Sequence, residues 1–436
     1  MNRIAIKGAL SLVGVLAAAL LVPPATAGHR QCLAPNGVDD TAELQAALER
    51  CSGARRRCVV SLCEGVFRIA PVRVGDFRGV LKGAGRDKTV IRALPDLVVN
   101  DTPIDYNRED PLDPNNAPWP FLVQFIGGKA KIRDFTIEIP TPEPGHRPTL
   151  GWLGGMIFEL DGALLLTGLD PVDFDVDRIR VVAGDDPASV FLNTTLLNGV
   201  FFQGRLFNPA DSSLNPVHPV KGRYSLADSD FEGMLSGSPV AETDRARVTI
   251  KDNRYRSGFA MHVQDAHRSR ILLLKNRWET EFVGAQFLLN VDGDPSEKNS
   301  ILALGNRGST QDPSKDFAIG IFFVDPWDTA RETGDTKLTL LHNRISVDGV
   351  TGAAWSGIDV TGAGRLIAWR NAVRGEASLA GIHVDSTSGC KLISNSLGTE
   401  GGPDVLLGPA TSECLAVVHR NDDVDDFGMN NWIIRR

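Results

Sequence analysis

Short apolar runs that end in asparagine recur through the second half of the chain. They read "VTIKDN", "ILLLKN", "ILALGN", "LTLLHN", "LIAWRN", "KLISN" and "LAVVHRN". Their asparagines are Asn253, Asn276, Asn306, Asn343, Asn371, Asn395 and Asn421, at intervals of 23, 30, 37, 28, 24 and 26 residues. Between them lies a second set of apolar phrases, "GFAMHV", "GAQFLL", "GIFFV", "GIDV", "GIHV" and "DVLL". Each repeat therefore holds at least two short strands, and no long stretch there has helical periodicity. A drifting period of this size predicts a solenoid of stacked coils with loop insertions. Asparagine at the same corner of every coil is expected to adopt left-handed backbone angles and to bond its side-chain amide to the amides above and below. Glycine opens the next strand because the chain bends tightly there.

The region before the repeats reads differently. In "NGVDDTAELQAALERC", Asp40 and Glu43 have capping-box spacing, and Leu44, Ala47, Leu48 and Cys51 share one helical face. A short amphipathic helix here is expected to cover the open end of the stack, as solenoid ends require. "KGAGRDKTVI" reads as a glycine turn entering a strand, since neither a helix nor a Gly-Lys-Ser/Thr ending follows. With the repeats, this opening resembles the right-handed parallel β-helix superfamily of pectate lyases, polygalacturonases and related secreted proteins. The resemblance runs from about Cys32 to the C-terminus and is strongest from Thr249 to His419. It implies an all-β fold, a right-handed parallel β-helix solenoid with a short N-terminal capping α-helix.

At 436 residues the chain is long enough for several domains, but turn and strand signals continue at even density, so one domain over 28–436 is predicted. Proline-rich stretches at 94–120, 140–148 and 208–219 are expected to be loops projecting from the stack, because proline cannot donate to a strand ladder. "MNRIAIKGALSLVGVLAAALLVPPATA" has two cations, an apolar stretch and a small-residue Ala25-Thr26-Ala27 site, and is read as a secretory signal peptide over 1–27. The expected location is secreted or periplasmic, with no stable membrane insertion after cleavage. Without that segment, 44 Lys and Arg face 54 acids, a net charge of −10. Binding of nucleic acid through bulk charge is excluded, while an acidic polysaccharide can still dock on a local basic patch.

Six cysteines in an exported chain predict disulfides. Six allow about 15 pairings, among which the sequence does not choose, and the preferred pairs are Cys390 with Cys414, Cys58 with Cys63, and Cys32 with Cys51. No Cys-x-x-Cys occurs and no histidine joins the N-terminal cluster, so no metal ligands are assigned there. Among cofactors only calcium is left open, because Asp292, Asp294, Asp422, Asp423, Asp425 and Asp426 are available. "NDDVDDFG" itself lacks the ligand spacing of a calcium hand and reads as an acidic, solvated tail.

Alternation locates the candidate chemistry. In "GIDV" and "GIHV", inward Ile358, Val360, Ile382 and Val384 leave Asp359 and His383 facing outward, one coil apart at about 4.8 Å. His262 in "AMHV" and Phe323 in "FFV" are expected in the same row. Just past these strands lie Asp265, His267, Asp325, Asp328 and Asp385. Asp359, His383 and Asp385 are the candidate catalytic residues: a carboxylate that orients a histidine forms a general acid–base pair. His262, Asp325, Asp328, Trp327 and Trp355 are the candidate substrate-binding residues, the tryptophans as stacking faces for sugars. The same residues also fit a satisfied cross-strand contact with no catalytic role. Of the polygalacturonase motifs, Gly184-Asp185-Asp186 has a counterpart, but no Gly-His-Gly occurs, so none of that family's catalytic residues is assigned. The resemblance implies a polysaccharide partner for a lyase, hydrolase or epimerase. The alternative is a non-catalytic surface protein that binds a glycan or another protein.

Overall fold

The computed structural model describes residues 32–55, 58–94, 121–140, 160–167, 171–184, 196–203, 221–289, 298–311, 318–325, 335–348 and 356–436. The segment expected to be a leader, nearly all of the three proline-rich stretches, Trp327, Asp328 and Trp355 lie outside the described residues. Every strand pairing is parallel apart from one isolated antiparallel bridge. The fold is a parallel β-helix, as expected, and Cys32–Arg436 forms one compact unit.

Each full coil has three strands, which stack into three faces. Face A holds the runs that precede asparagine: Arg247–Lys251, Arg270–Leu274, Ser300–Leu304, Lys337–Leu341 and Arg365–Trp369 pair in that order. Face B follows the corner, with Arg307–Gln311, Arg344–Asp348, Ala372–Ala377 and Ser396–Gly401 as successive rungs. Face C holds the second phrases, including Ile319–Val324, Ser356–Thr361, Ala380–Asp385 and Val405–Leu407. Inward side chains of all three faces meet in one continuous apolar core, for example Leu338, Ile345 and Ile358. Alternation within each strand sets which residues enter it.

The corner between faces A and B is held by asparagines, with one change from expectation. Asn253, Asn276, Asn306, Asn343, Asn371 and Asn395 are buried, and each Nδ2 except that of Asn395 donates to the next Oδ1 at 2.9–3.1 Å. Each Nδ2 also donates to a backbone carbonyl, as from Asn306 to Leu273 O at 3.0 Å. The left-handed residue, however, is the one before: Asp252, Lys275, Gly305, His342, Arg370 and Ser394 all have φ between 51° and 67°. That residue makes the turn, and the asparagine that follows is turned inward to bond. Asn421 does not join the ladder. The last coil passes from Leu415–Val418 directly to Val424–Asp426 on face C, so Asn421 is left exposed.

At the other end, Thr41–Glu49 is the expected helix, and Leu44, Ala47, Leu48 and Cys51 are buried against the first coil. Asp40 makes no side-chain cap. Its carboxylate accepts from Asn36 N at 2.6 Å and Arg68 N at 2.9 Å, which ties the helix entry to the strand Gly65–Ile69. Two of the expected disulfides are also corrected. Cys32 bonds Cys63 and Cys51 bonds Cys58, while Cys390–Cys414 is as expected. Leu33 bridges Leu62 in parallel, bringing Cys32 beside Cys63, and the helix end is carried over the strand starting at Cys58. The acidic segment expected to be a solvated tail completes the final coil. Asp422 is buried and accepts from His419 N, and Val424–Asp426 pairs with Val405–Leu407.

Candidate functional site

The outward row of face C forms as alternation predicts. His262, Gln286, Phe322, Asp359, His383 and Leu406 occupy one register position on six successive coils. Phe322 takes the place expected for Phe323, which points inward and is fully buried. Ile-Gly-Ile-Phe-Phe-Val is apolar on both faces, so its alternation does not fix which phenylalanine faces out.

Asp359 and His383 meet at this row. His383 Nδ1 lies 3.0 Å from Asp359 Oδ1, and the two side chains are 18% and 12% exposed. In the tautomer that carries its proton on Nδ1 the ring donates to this carboxylate oxygen, which leaves Nε2 outside the bond. Burial works against the imidazolium, but the hydrogen bond and the charges of Asp359 and Asp385 outweigh it, and the His383 pKa is raised. This arrangement holds one tautomer and ring orientation, as a general base requires.

The third candidate, Asp385, reaches His383 through its charge and has its own hydrogen bonds elsewhere. Asp385 Oδ1 accepts backbone amides of Ser386 at 2.8 Å and Ala410 at 3.2 Å, which makes it a brace for the following turn. Asp325 is fully buried and takes the hydroxyl of Thr336 at 2.9 Å, so it is not a surface ligand for sugar. With Phe322 outward, alternation places Asp325 on the inward side with Ile321 and Phe323, and its exposure is expected only where Phe323 is taken as the outward residue. Asp265 is buried as well. His262 lies in the row, but its Nε2 is shut off from solvent without a hydrogen-bond partner, and burial pushes its pKa down to about 4. It is therefore a neutral, packed ring beside Phe259, with centroids 6.5 Å apart. Among the described residues no three or more His, Cys, Asp or Glu side chains cluster as a metal site.

A second feature was missed by the alternation. A groove of about 710 Å³ runs along the corner between faces A and B, lined by Arg254, Lys275, Arg277, Arg307, Arg344 and Arg370. The signal for it is the dipeptide Asn-Arg, which occurs at 253–254, 276–277, 306–307 and 343–344. Each buried ladder asparagine is followed by an outward strand position, and on four coils in a row that position is arginine.

No family model matches the chain and no curated protein matches it. Several solved structures match the chain at low identity. The mannuronan C-5 epimerase AlgE6 A-module of Azotobacter vinelandii is 14% identical with a TM-score of 0.40, over 92% of each chain. The Streptococcus pneumoniae surface protein and adhesin PfbA is 11% identical with a TM-score of 0.44, over 93% of this chain and 97% of that one. Polygalacturonase from Erwinia carotovora ssp. carotovora is 12% identical with a TM-score of 0.41, over 90% and 96%. Similarity at this level does not bear on function, and the fold assignment rests on the strand pairings.

Proposed function

We propose that this chain is an exported β-helix protein that takes a polysaccharide along face C, with His383 Nε2 as the proton-transferring atom and Asp359 as the carboxylate that orients it. The single observation that carries this reading is the hydrogen-bonded Asp359–His383 pair, outward on a strand face and still reaching solvent. One imidazole backed by one carboxylate suits abstraction of a proton from a sugar ring carbon, as in a lyase or epimerase. Hydrolysis by two opposed carboxylates is less well served, because Asp385 is held by backbone amides and Asp325 is buried. Three disulfides support export to an oxidising compartment. No helix among the described residues is long and apolar enough to cross a membrane.

A second reading is a non-catalytic glycan-binding protein, favoured by Phe322 and Leu406 on either side of the pair, which are apolar surfaces for sugar rings. The test is a screen of the chain from Gly28 onward against acidic and neutral polysaccharides, following reducing ends, unsaturated products and binding together. Turnover that disappears in His383→Ala and Asp359→Ala variants of intact fold supports the first reading. Turnover indifferent to both changes removes the reaction from face C. Binding without turnover favours the second reading.

A further inference from the structure

The column of residues that follows the asparagine ladder carries charge in two different ways. On the earlier coils its members are paired with opposite charge: Arg180 donates to Glu232 at 2.9 Å, and Asp230 accepts from Arg86 at 2.7 Å. Neighbouring coils do the same elsewhere on their surfaces, as with Arg92 and Glu138 or Arg223 and Asp173. From Arg254 the pattern changes. Arg254, Arg277, Arg307 and Arg344 stand in register on consecutive coils, all exposed, and none forms an ion pair with a described residue. Lys275 and Arg370 add their charges at the corner, and the groove's lining holds one carboxylate, that of Asp252.

Like charges directly opposite one another on adjacent strands repel, and parallel coils repeat the contact about every 4.8 Å. Folding alone gives no reason to leave four guanidiniums in register when nearby coils supply acids to theirs. A concave strip of one sign concentrates its field and attracts a counter-charge of matching shape. From the stacked arginines and the groove that contains them, we infer that this corner is a binding site for a linear acidic polysaccharide lying parallel to the coil axis, one anionic group per coil. Guanidinium groups suit this role because their planar donors engage carboxylates in pairs. The choice of a polysaccharide over other polyanions rests on the function proposed above. The site itself is separate, since Asp359 and His383 lie on face C and the groove on the corner between A and B.

The test is calorimetric titration of the chain from Gly28 onward with polygalacturonate oligomers of increasing length and with neutral malto-oligomers. The inference expects affinity for the uronates to rise with length until about four residues are covered, matching four arginines spaced by one coil each. It expects the Arg277→Gln/Arg307→Gln double variant to lose about tenfold in affinity with a shallower salt dependence. Melting temperature shows whether that variant is folded, and with two repelling charges removed it is expected to melt no lower than the parent chain. Uronate binding unchanged in the double variant overturns the groove and leaves face C as the polysaccharide site. Equal binding of malto-oligomers overturns the charge-based recognition. Tighter binding of a single-stranded DNA oligomer than of any uronate overturns the choice of polysaccharide, and failure of every polysaccharide to bind overturns both this site and the proposed function.

Discussion

Replacing Asn306 by alanine tests the asparagine ladder at its centre. Asn306 Oδ1 accepts from the backbone amide of Asn276 at 2.9 Å and from its Nδ2 at 3.0 Å. Its own Nδ2 donates to Leu273 O at 3.0 Å and Asn343 Oδ1 at 2.9 Å. Alanine removes all four bonds and leaves the Asn276 amide, one Asn276 Nδ2 hydrogen and Leu273 O buried without those partners. An orphaned buried group costs roughly 1–3 kcal/mol, so the variant should lose about 3–6 kcal/mol, a large part of a typical domain's stability. Asn421→Ala is the matched control. It ends the same kind of apolar run, yet it is exposed and outside the ladder, and its change should stay within about 0.5 kcal/mol. The assay is urea unfolding of both variants followed by circular dichroism, with amide exchange at Asn276 as the local reading. Exchange there should accelerate by at least about tenfold in Asn306→Ala. If Asn306→Ala falls within about 1 kcal/mol of the parent chain, or if Asn421→Ala is equally damaging, the ladder is not what holds this corner.

His262 gives a pH prediction. Folded, it is held near pKa 4, while the unfolded side chain titrates near 6.5, so between those values the unfolded chain binds a proton that the folded chain refuses. Stability is full above 6.5 and falls as pH drops towards 4, by up to about 3 kcal/mol; His262→Phe should remove that part of the acid sensitivity in denaturation midpoints measured across this range. Removing the Cys390–Cys414 bridge by double alanine substitution frees a loop of 24 residues and should lower stability by roughly 3–4 kcal/mol, read as a shift in urea midpoint against the parent chain. Gly362→Ala should destabilise by about 2 kcal/mol or more, because Gly362 has φ +77° and a Cβ there meets Asp325 O at 1.7 Å; thermal melting checks it.

Much of this architecture is legible in the sequence because alternation and burial are coupled. Isoleucine and valine on both sides of Asp359 and His383 can only enter the core, which forces the polar residues outward into one row. The asparagine repeat is legible for a similar reason, since a buried amide has few alternatives to bonding its neighbours. What the sequence does not reveal is the residue that turns the corner. Asp252, Lys275, Gly305, His342, Arg370 and Ser394 share only a backbone conformation, and the preference of asparagine for that conformation points one position too far. Phe322 and Phe323 cannot be told apart where both faces of the strand are apolar. That ambiguity carries over to Asp325, which shares the parity of the inward Phe323 and is buried with it, while Asp385 ends its strand on the outward parity of His383 and is tied by the turn that follows. The disulfides depend on which coil lies over which, so Cys32 reaches Cys63 across 31 residues while the nearer Cys51 bonds Cys58.

The most direct test of the proposed site is a titration of the histidine side chains by nitrogen-15 NMR, with His383 assigned from a His383→Gln variant, in the free chain and with polysaccharide oligomers added. The account predicts that His383 titrates above the ordinary histidine value of 6.5, that Asp359→Asn lowers it, and that an oligosaccharide shifts its resonances. A His383 that titrates at or below 6.5, and that no oligosaccharide moves, would contradict it.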